Sequence, residues 1–297
     1  MRDIDQFWVC GIISYRKEAA APLYSNSCFI TEDIPHLREK TYRIGLVGRA
    51  CSIFRVDQIM IFYDNPEKDQ ANDADLTAAV LRYMNMPQYL RRTLIRIDSK
   101  LQFVGILPPL RAPHHPLTRD RKDLRIGMLR QGVVTGGQGN SSLVDIGLSE
   151  PAVVQGSLPR KSIVTVRITR TTGGVEAAKA EDSEIRIYWG YDVTLTKNPL
   201  AESTRRIGFD LVISTSRYGN SISEVLPKLQ STWAKSNKIL VAFGSPTRGL
   251  KEILEHEGLD LNDYADFIVN TIPDQGVETV RTEEAIYTSL SILNILG

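Results

Sequence analysis

The sequence predicts an α/β protein built on a parallel sheet, interrupted by a small all-β barrel of the OB type. Three observations carry that expectation. Short apolar runs rich in β-branched residues alternate with helical stripes in the first and last thirds of the chain. A proline-rich connector over residues 106–116 cannot be helix and breaks the pattern. Beyond it, five short strand-like runs with glycine turns crowd into roughly 60 residues, the density of a small barrel. The α/β pattern resumes after Val193. Residues 1–93 and 191–297 are therefore expected to form the α/β domain, and residues 94–190 an inserted OB-like domain.

Taken in order, strands are expected over residues 9–14, 59–62, 211–214, 239–243 and 267–269. Residues 33–54 read as one long helix with Ile34, Leu37, Thr41, Ile44 and Gly48 on a stripe. Gly45 and Gly48 inside it each cost about 1 kcal/mol against alanine, which points to close backbone packing or an approaching ligand. A second stripe holds Leu76, Ala79, Val80, Tyr83 and Met84, with Asp75 as its expected cap. Ser221-Ile-Ser-Glu224 reads as a capping box shortly before Pro227. Ile286, Leu290 and Leu293 give the stripe of the last helix, which Thr282 is expected to cap, with Glu283 and Glu284 at the positive end of its dipole. Barrel strands are expected over 132–135, 143–146, 152–154, 163–169 and 185–189, with hairpin loops at 136–140 and 172–174.

Composition is that of an ordinary globular chain, 42% hydrophobic and 24% charged. No apolar run approaches the roughly 20 residues of a membrane span. Met1-Arg-Asp-Ile-Asp lacks the order of a secretory signal, so a cytoplasmic protein is expected. Cys10, Cys28 and Cys51 make no disulfide framework, and His36, His114, His115 and His256 show no metal-ligand spacing with them, so no metal is expected. Net charge is only +1, but residues 91–192 hold 16 Lys/Arg against 10 Asp/Glu while the remainder is acidic. A basic middle on an acidic remainder points to a polyanionic partner, weighed against chance surface variation.

No phosphate-binding loop of either common type and no nucleophile elbow occurs. Gly136-Gly-Gln-Gly139 reads as a β-turn, and His114-His115, on extended backbone, as a pair pointing opposite ways. Two segments remain. Phe243-Gly-Ser-Pro-Thr-Arg-Gly249 and Asn270-Thr-Ile-Pro-Asp-Gln-Gly-Val-Glu-Thr-Val-Arg281 both leave strand ends as polar loops shaped by Gly and Pro. Such loops either enclose a flat heterocycle through backbone groups, with Gly244 allowing close approach, or are ordinary β–α turns. The second feature is Arg49, set among small and apolar residues, which is poised for phosphate or carbonyl oxygens or makes a helix-surface salt bridge.

Together these segments resemble the SPOUT methyltransferases, α/β proteins whose C-terminal chain threads a trefoil knot. The stretch from Arg49 to Val56 is similar to the arginine-bearing first motif of the TrmH-like branch, without a clear asparagine at its start. The Phe243 and Asn270 segments look like the second and third motifs. Pro35-His-Leu-Arg-Glu-Lys-Thr-Tyr42, Pro87-Gln-Tyr-Leu-Arg-Arg92, residues 105–116 and Tyr188-Trp-Gly-Tyr191 resemble the archaeal and eukaryotic SPOUT group with an inserted OB-like domain. A longer segment after the first strand, residues 15–27, departs from that group.

The resemblance implies a homodimeric, S-adenosylmethionine-dependent RNA methyltransferase, acting on N3 of a uridine in ribosomal RNA. Ribose 2′-O-methylation and a non-catalytic RNA-binding assembly factor are the alternatives. It implies cofactor contacts from Phe243, Gly244, Asn270, Thr271, Ile272, Pro273, Gln275, Gly276, Thr279, Val280 and Arg281. Arg49 is the expected electrostatic catalyst, in its own subunit or across to the partner. Glu278 is a candidate base, or else a capping residue. Arg119, Arg121, Lys122 and Arg125 are the expected phosphate contacts. Tyr188, Trp189 and Tyr191 are candidate stacking residues, with packing the stronger expectation for Trp189.

Overall fold

A computed structural model describes residues 11–15, 23–26, 31, 33–64, 69–117 and 120–296. Two compact units emerge, one of residues 1–84, 98–109 and 190–297, the other of residues 85–97 and 110–189.

In the first unit, β1 (Gly11–Tyr15) and β2 (Leu23–Asn26) precede α1 (Leu37–Ile53), β3 (Val56–Ile61) and α2 (Ala71–Asn85), whose last residue begins the second unit. The second unit holds α3 (Gln88–Leu94), β4 (Leu129–Gln138), β5 (Ser141–Asp145), β6 (Ala152–Gln155), β7 (Ile163–Arg170) and β8 (Glu176–Lys179). The first unit then resumes with β9 (Asp192–Leu195), α4 (Leu200–Ile207), β10 (Leu211–Ser221), α5 (Ile222–Trp233), β11 (Ile239–Ala242), α6 (Leu250–His256), α7 (Leu261–Tyr264), β12 (Phe267–Asn270) and α8 (Thr282–Leu293).

The sheet order is β12-β10-β11-β1-β2-β3-β9. Six of these strands run parallel, and β1 runs against its neighbours β11, β2 and β3. Strand β11 is buried along its whole length, as a central parallel strand covered on both faces must be. One core layer joins Met60, Phe62, Leu240 and Ala242 of the sheet region to Leu200, Leu250, Ile253 and Leu254 of α4 and α6.

Several local expectations are corrected. The first helix starts at Leu37, not Asp33, because Pro35 follows a turn closed by Ile34 N–H donating to Thr31 O at 3.1 Å. Asp33 instead pairs with Arg43 at 3.0 Å. Asp69 accepts from Ala71 N–H at the start of α2, so Asp75 lies inside the helix and pairs with Lys100. The Ser221 hydroxyl meets Ser223 rather than closing a capping box. Thr282 is a buried first-turn residue of α8; the cap is made by Glu284 accepting from Arg281 N–H at 2.9 Å. The two α1 glycines are packing glycines: a Cβ at Gly45 would lie 2.4 Å from Leu107 Cδ2, and one at Gly48 would lie 2.8 Å from the Tyr191 hydroxyl.

The second unit contains a closed barrel, β4-β5-β6-β8-β7, filled by Val134, Val144, Ile146, Ala152, Val154, Val166, Ile168 and Ala177. Its fifth strand is β8, not residues 185–189. The latter follow a short 3-10 turn, and the Trp189 indole donates to Thr165 Oγ1 at 3.0 Å. The β4–β5 turn is at Gly139-Asn140, since β4, after a bulge between Val134 and Gly136, stays paired with β5 through Gln138. His114 and His115 do not diverge. A turn at Pro113-His114 brings both Nε2 atoms to 2.8 Å from Asn85 O, with ring centroids 4.1 Å apart. His114 is fully buried, and burial drives its pKa from 6.5 down to about 3.

Candidate functional site

Strands β10, β11 and β12 are adjacent and parallel, so their C-terminal ends share one sheet edge. The loops leaving that edge are the two segments singled out from the sequence, in the position where open α/β sheets bind ligands.

The first loop follows β11. Phe243 is buried, so only its backbone is available to a ligand. Ser245 N–H donates to Arg248 O at 2.9 Å, and Arg248 N–H donates back to Ser245 Oγ at 3.0 Å, closing a tight turn. A Cβ on Gly244 would lie 2.9 Å from Arg248 O, so this glycine is required by its own turn. Thr215 Oγ1 donates to Ala242 O at 2.9 Å and ties the end of β10 to this loop.

The second loop follows β12. The Asn270 side chain accepts from Ile272 N–H through Oδ1 and donates to Arg217 O through Nδ2, both at 2.9 Å. Thr271 is buried and its hydroxyl meets Ser289 of α8 at 2.7 Å. Pro273 and Gly276 are exposed, and the left-handed turn falls on Asp274 (φ 56°), not on Gly276. The Gln275 side chain donates to Val277 O at 2.8 Å and Glu278 O at 3.0 Å. Thr279 and Arg281 are exposed and Val280 is half-buried. The Glu278 carboxylate is also exposed; it is the Glu278 carbonyl that is held, by Gln275 and by Arg217 Nη1 at 3.2 Å.

A third segment at this edge was not foreseen. Strand β10 continues far beyond residue 214, and Val269 faces both Thr215 and Asn220. The four residues between them leave and rejoin the ladder around one position of β12. A Cβ on Gly219 would lie 2.7 Å from Ile268 O, which is why the return path has a glycine. Nothing local in Ser216-Arg-Tyr-Gly219 signals this excursion.

Arg49 is half-buried on α1 and donates to Pro109 O at 3.0 Å. Its charge also opposes the upward pKa shift that burial imposes on Tyr287 of α8, so Arg49 lies within electrostatic reach of the helix that follows the second loop. Arg43 adds a further link, 3.4 Å from the buried carboxylate of Glu283, whose pKa burial raises.

In the second unit, Arg121 donates to Thr171 O at 2.7 Å and Gly174 O at 3.2 Å, bracing the β7–β8 turn. Lys122 pairs with Asp120 at 3.2 Å, and Arg125 is exposed. Arg119 lies outside the described residues. Arg160 and Lys161 are exposed on the β6–β7 turn. Tyr191, in the first unit, is buried with its hydroxyl donating to Leu81 O, so it cannot stack on a base. Among the described residues no His/Cys/Asp/Glu group could hold a metal, and no helix is long and apolar enough to cross a membrane. An open cleft beside α4 and α6, lined by Pro199, Arg205, His256 and Glu257, includes no residue of either loop.

A family model described as "Putative RNA methyltransferase" matches residues 27–293. A 28S rRNA (uridine-N(3))-methyltransferase of Mus musculus is 32% identical, over 87% of this chain and 71% of that protein. The Homo sapiens protein of the same name is 31% identical, over 87% and 73%. An uncharacterized protein of Haloarcula marismortui is 32% identical, over 87% and 93%. The chain belongs to this RNA methyltransferase family.

Proposed function

We propose that this chain is an S-adenosylmethionine-dependent methyltransferase that modifies N3 of a uridine in ribosomal RNA. The observation that carries the reading is the gathering of three loops at one sheet edge, two of them joined by Arg217 and Asn270 and the third tied to β10 through Thr215, in a chain whose relatives include uridine-N3 methyltransferases of 28S rRNA. The loops fit an adenosyl group: they offer main-chain donors and acceptors, with Phe243 and Thr271 turned into the core. Phe243, Gly244, Asn270, Thr271, Ile272, Pro273, Gln275, Gly276, Thr279, Val280 and Arg281 would hold it. When bound, the cofactor supplies an electrophilic methyl group. N3 of uridine must lose its proton before it can attack, and Arg49 would stabilise the anion so formed. Glu278, exposed on the second loop, is the proposed proton acceptor.

A threaded, SPOUT-type trefoil knot belongs to the same proposal, built around the parallel order β12-β10-β11. The barrel strand order supports the OB-like reading, with residues 94–190 as the RNA-binding insert. Arg119, Arg121, Lys122 and Arg125 are its proposed phosphate contacts. Arg125→Ala should weaken RNA binding across sequences and reduce the salt slope by about one; an unchanged slope removes that residue from the interface. Exposed Tyr42 and Ile53 on α1 support a homodimer, for which sedimentation must give twice 33.3 kDa. A cytoplasmic location belongs to the same proposal.

The function is tested with the full chain, labelled S-adenosylmethionine and unmodified ribosomal RNA, followed by nucleoside mass spectrometry. The expected product is 3-methyluridine. A 2′-O-methylated nucleoside, or no transfer at all, overturns the reading.

A further inference from the structure

The β10 excursion carries an aromatic side chain that neither the fold nor the cofactor loops account for. Tyr218 is 82% exposed, in the four-residue detour that β10 makes around Val269. Its backbone is held firmly: Tyr218 N–H donates to Ser216 Oγ at 3.2 Å, and Gly219 lies against the Ile268–Val269 main chain. The Arg217 guanidinium lies over the ring, 4.7 Å from its centroid, and bonds the Tyr218 hydroxyl. The same guanidinium reaches Glu278 O, and the Arg217 carbonyl accepts from Asn270. Through Arg217 the aromatic plane is thus tied at two points to the loop that is the proposed cofactor seat. Val277, also exposed, sits next to the anchored Glu278 carbonyl.

A solvent-exposed tyrosine on a pinned backbone has little to gain from folding, since its apolar ring remains in water. Proteins that read unpaired RNA supply such planes, because every base has a π-face and aromatic or guanidinium planes stack on it. We propose that Tyr218, backed by Arg217, is a stacking platform for an unpaired base of the RNA substrate, positioned beside the Asn270–Arg281 loop. Tyr218 is a positioning residue here: it presents the base and takes no part in proton or methyl transfer. This inference rests on the RNA-methyltransferase reading above and adds the residue that seats the substrate.

The test uses full-length wild type, Tyr218→Ala, Tyr218→Phe and Tyr218→Trp. Steady-state methylation of ribosomal RNA is measured alongside calorimetric binding of S-adenosylmethionine. Tyr218→Ala should raise KM for RNA about tenfold, the scale of one lost base–aromatic stack. Tyr218→Phe should keep the wild-type KM, and S-adenosylmethionine affinity should match in all four proteins. In Tyr218→Trp, the added indole fluorescence should be quenched by a single-stranded uridine-containing oligonucleotide, a readout that needs no turnover. An unchanged KM in Tyr218→Ala with active wild type overturns the platform but leaves the enzyme reading intact. Inactive wild type overturns the enzyme reading, and the quenching experiment then decides the platform alone. Weakened S-adenosylmethionine binding in Tyr218→Ala would place the ring on the cofactor and also overturn the inference.

Discussion

Replacing Arg49 with alanine is expected to lower kcat for RNA methylation by about a hundredfold or more, the usual scale for losing one preorganised donor at a developing anion. The affinity for S-adenosylmethionine should stay within about twofold, because the proposed cofactor contacts come from the loops after β11 and β12. Arg49 also donates to Pro109 O, so a thermal melt must accompany the kinetics to show that α1 keeps its packing. Arg49→Lys separates the two roles. It keeps a charge but not the fork, and should recover only part of kcat. Full activity in Arg49→Ala would remove this residue from the chemistry.

The second large effect is acid lability of the unit that contains the barrel. His114 is buried, its Nε2 bonded to Asn85 O, and its folded pKa is about 3 against 6.5 in the unfolded chain. A base with a depressed folded pKa is protonated first in the unfolded state, so acid favours unfolding. Its contribution is complete above about pH 6.5 and is lost as pH falls towards 3. Between pH 6.5 and 4.5 the loss is on the order of 2–3 kcal/mol from His114 alone. His115, also shifted down by burial, acts in the same direction. Urea midpoints at pH 7.5 and 4.5 check this in wild type and His114→Leu. The variant should be less stable at the higher pH yet markedly less acid-sensitive. Equal acid sensitivity in the two proteins would contradict the assignment.

What the sequence made legible was chiefly what local pattern controls. The strand–loop–helix succession around Asn270 is found as β12 and α8, and the Ile286, Leu290, Leu293 stripe is buried. The barrel was visible in its short strands and glycine turns, except at its fifth strand. Glu176–Lys179 has little intrinsic strand character; pairing with β6 and β7 makes it one. Residues 185–189 have β-rich composition but no ladder partner, so propensity pointed the wrong way. The paired histidines depend on one turn and on Asn85, some thirty positions earlier, a contact no local pattern encodes. The same holds for Arg217 and Tyr218. They look like loop residues in the chain and acquire meaning only because β10 detours around Val269.

The most direct test of the central claim is mass spectrometry of ribosomal RNA nucleosides from cells with and without this protein. The account predicts that 3-methyluridine at a defined position is present with the protein, lost without it, and restored by wild type but not by Arg49→Ala. Unchanged 3-methyluridine, or loss of a ribose-methylated nucleoside in its place, would contradict it.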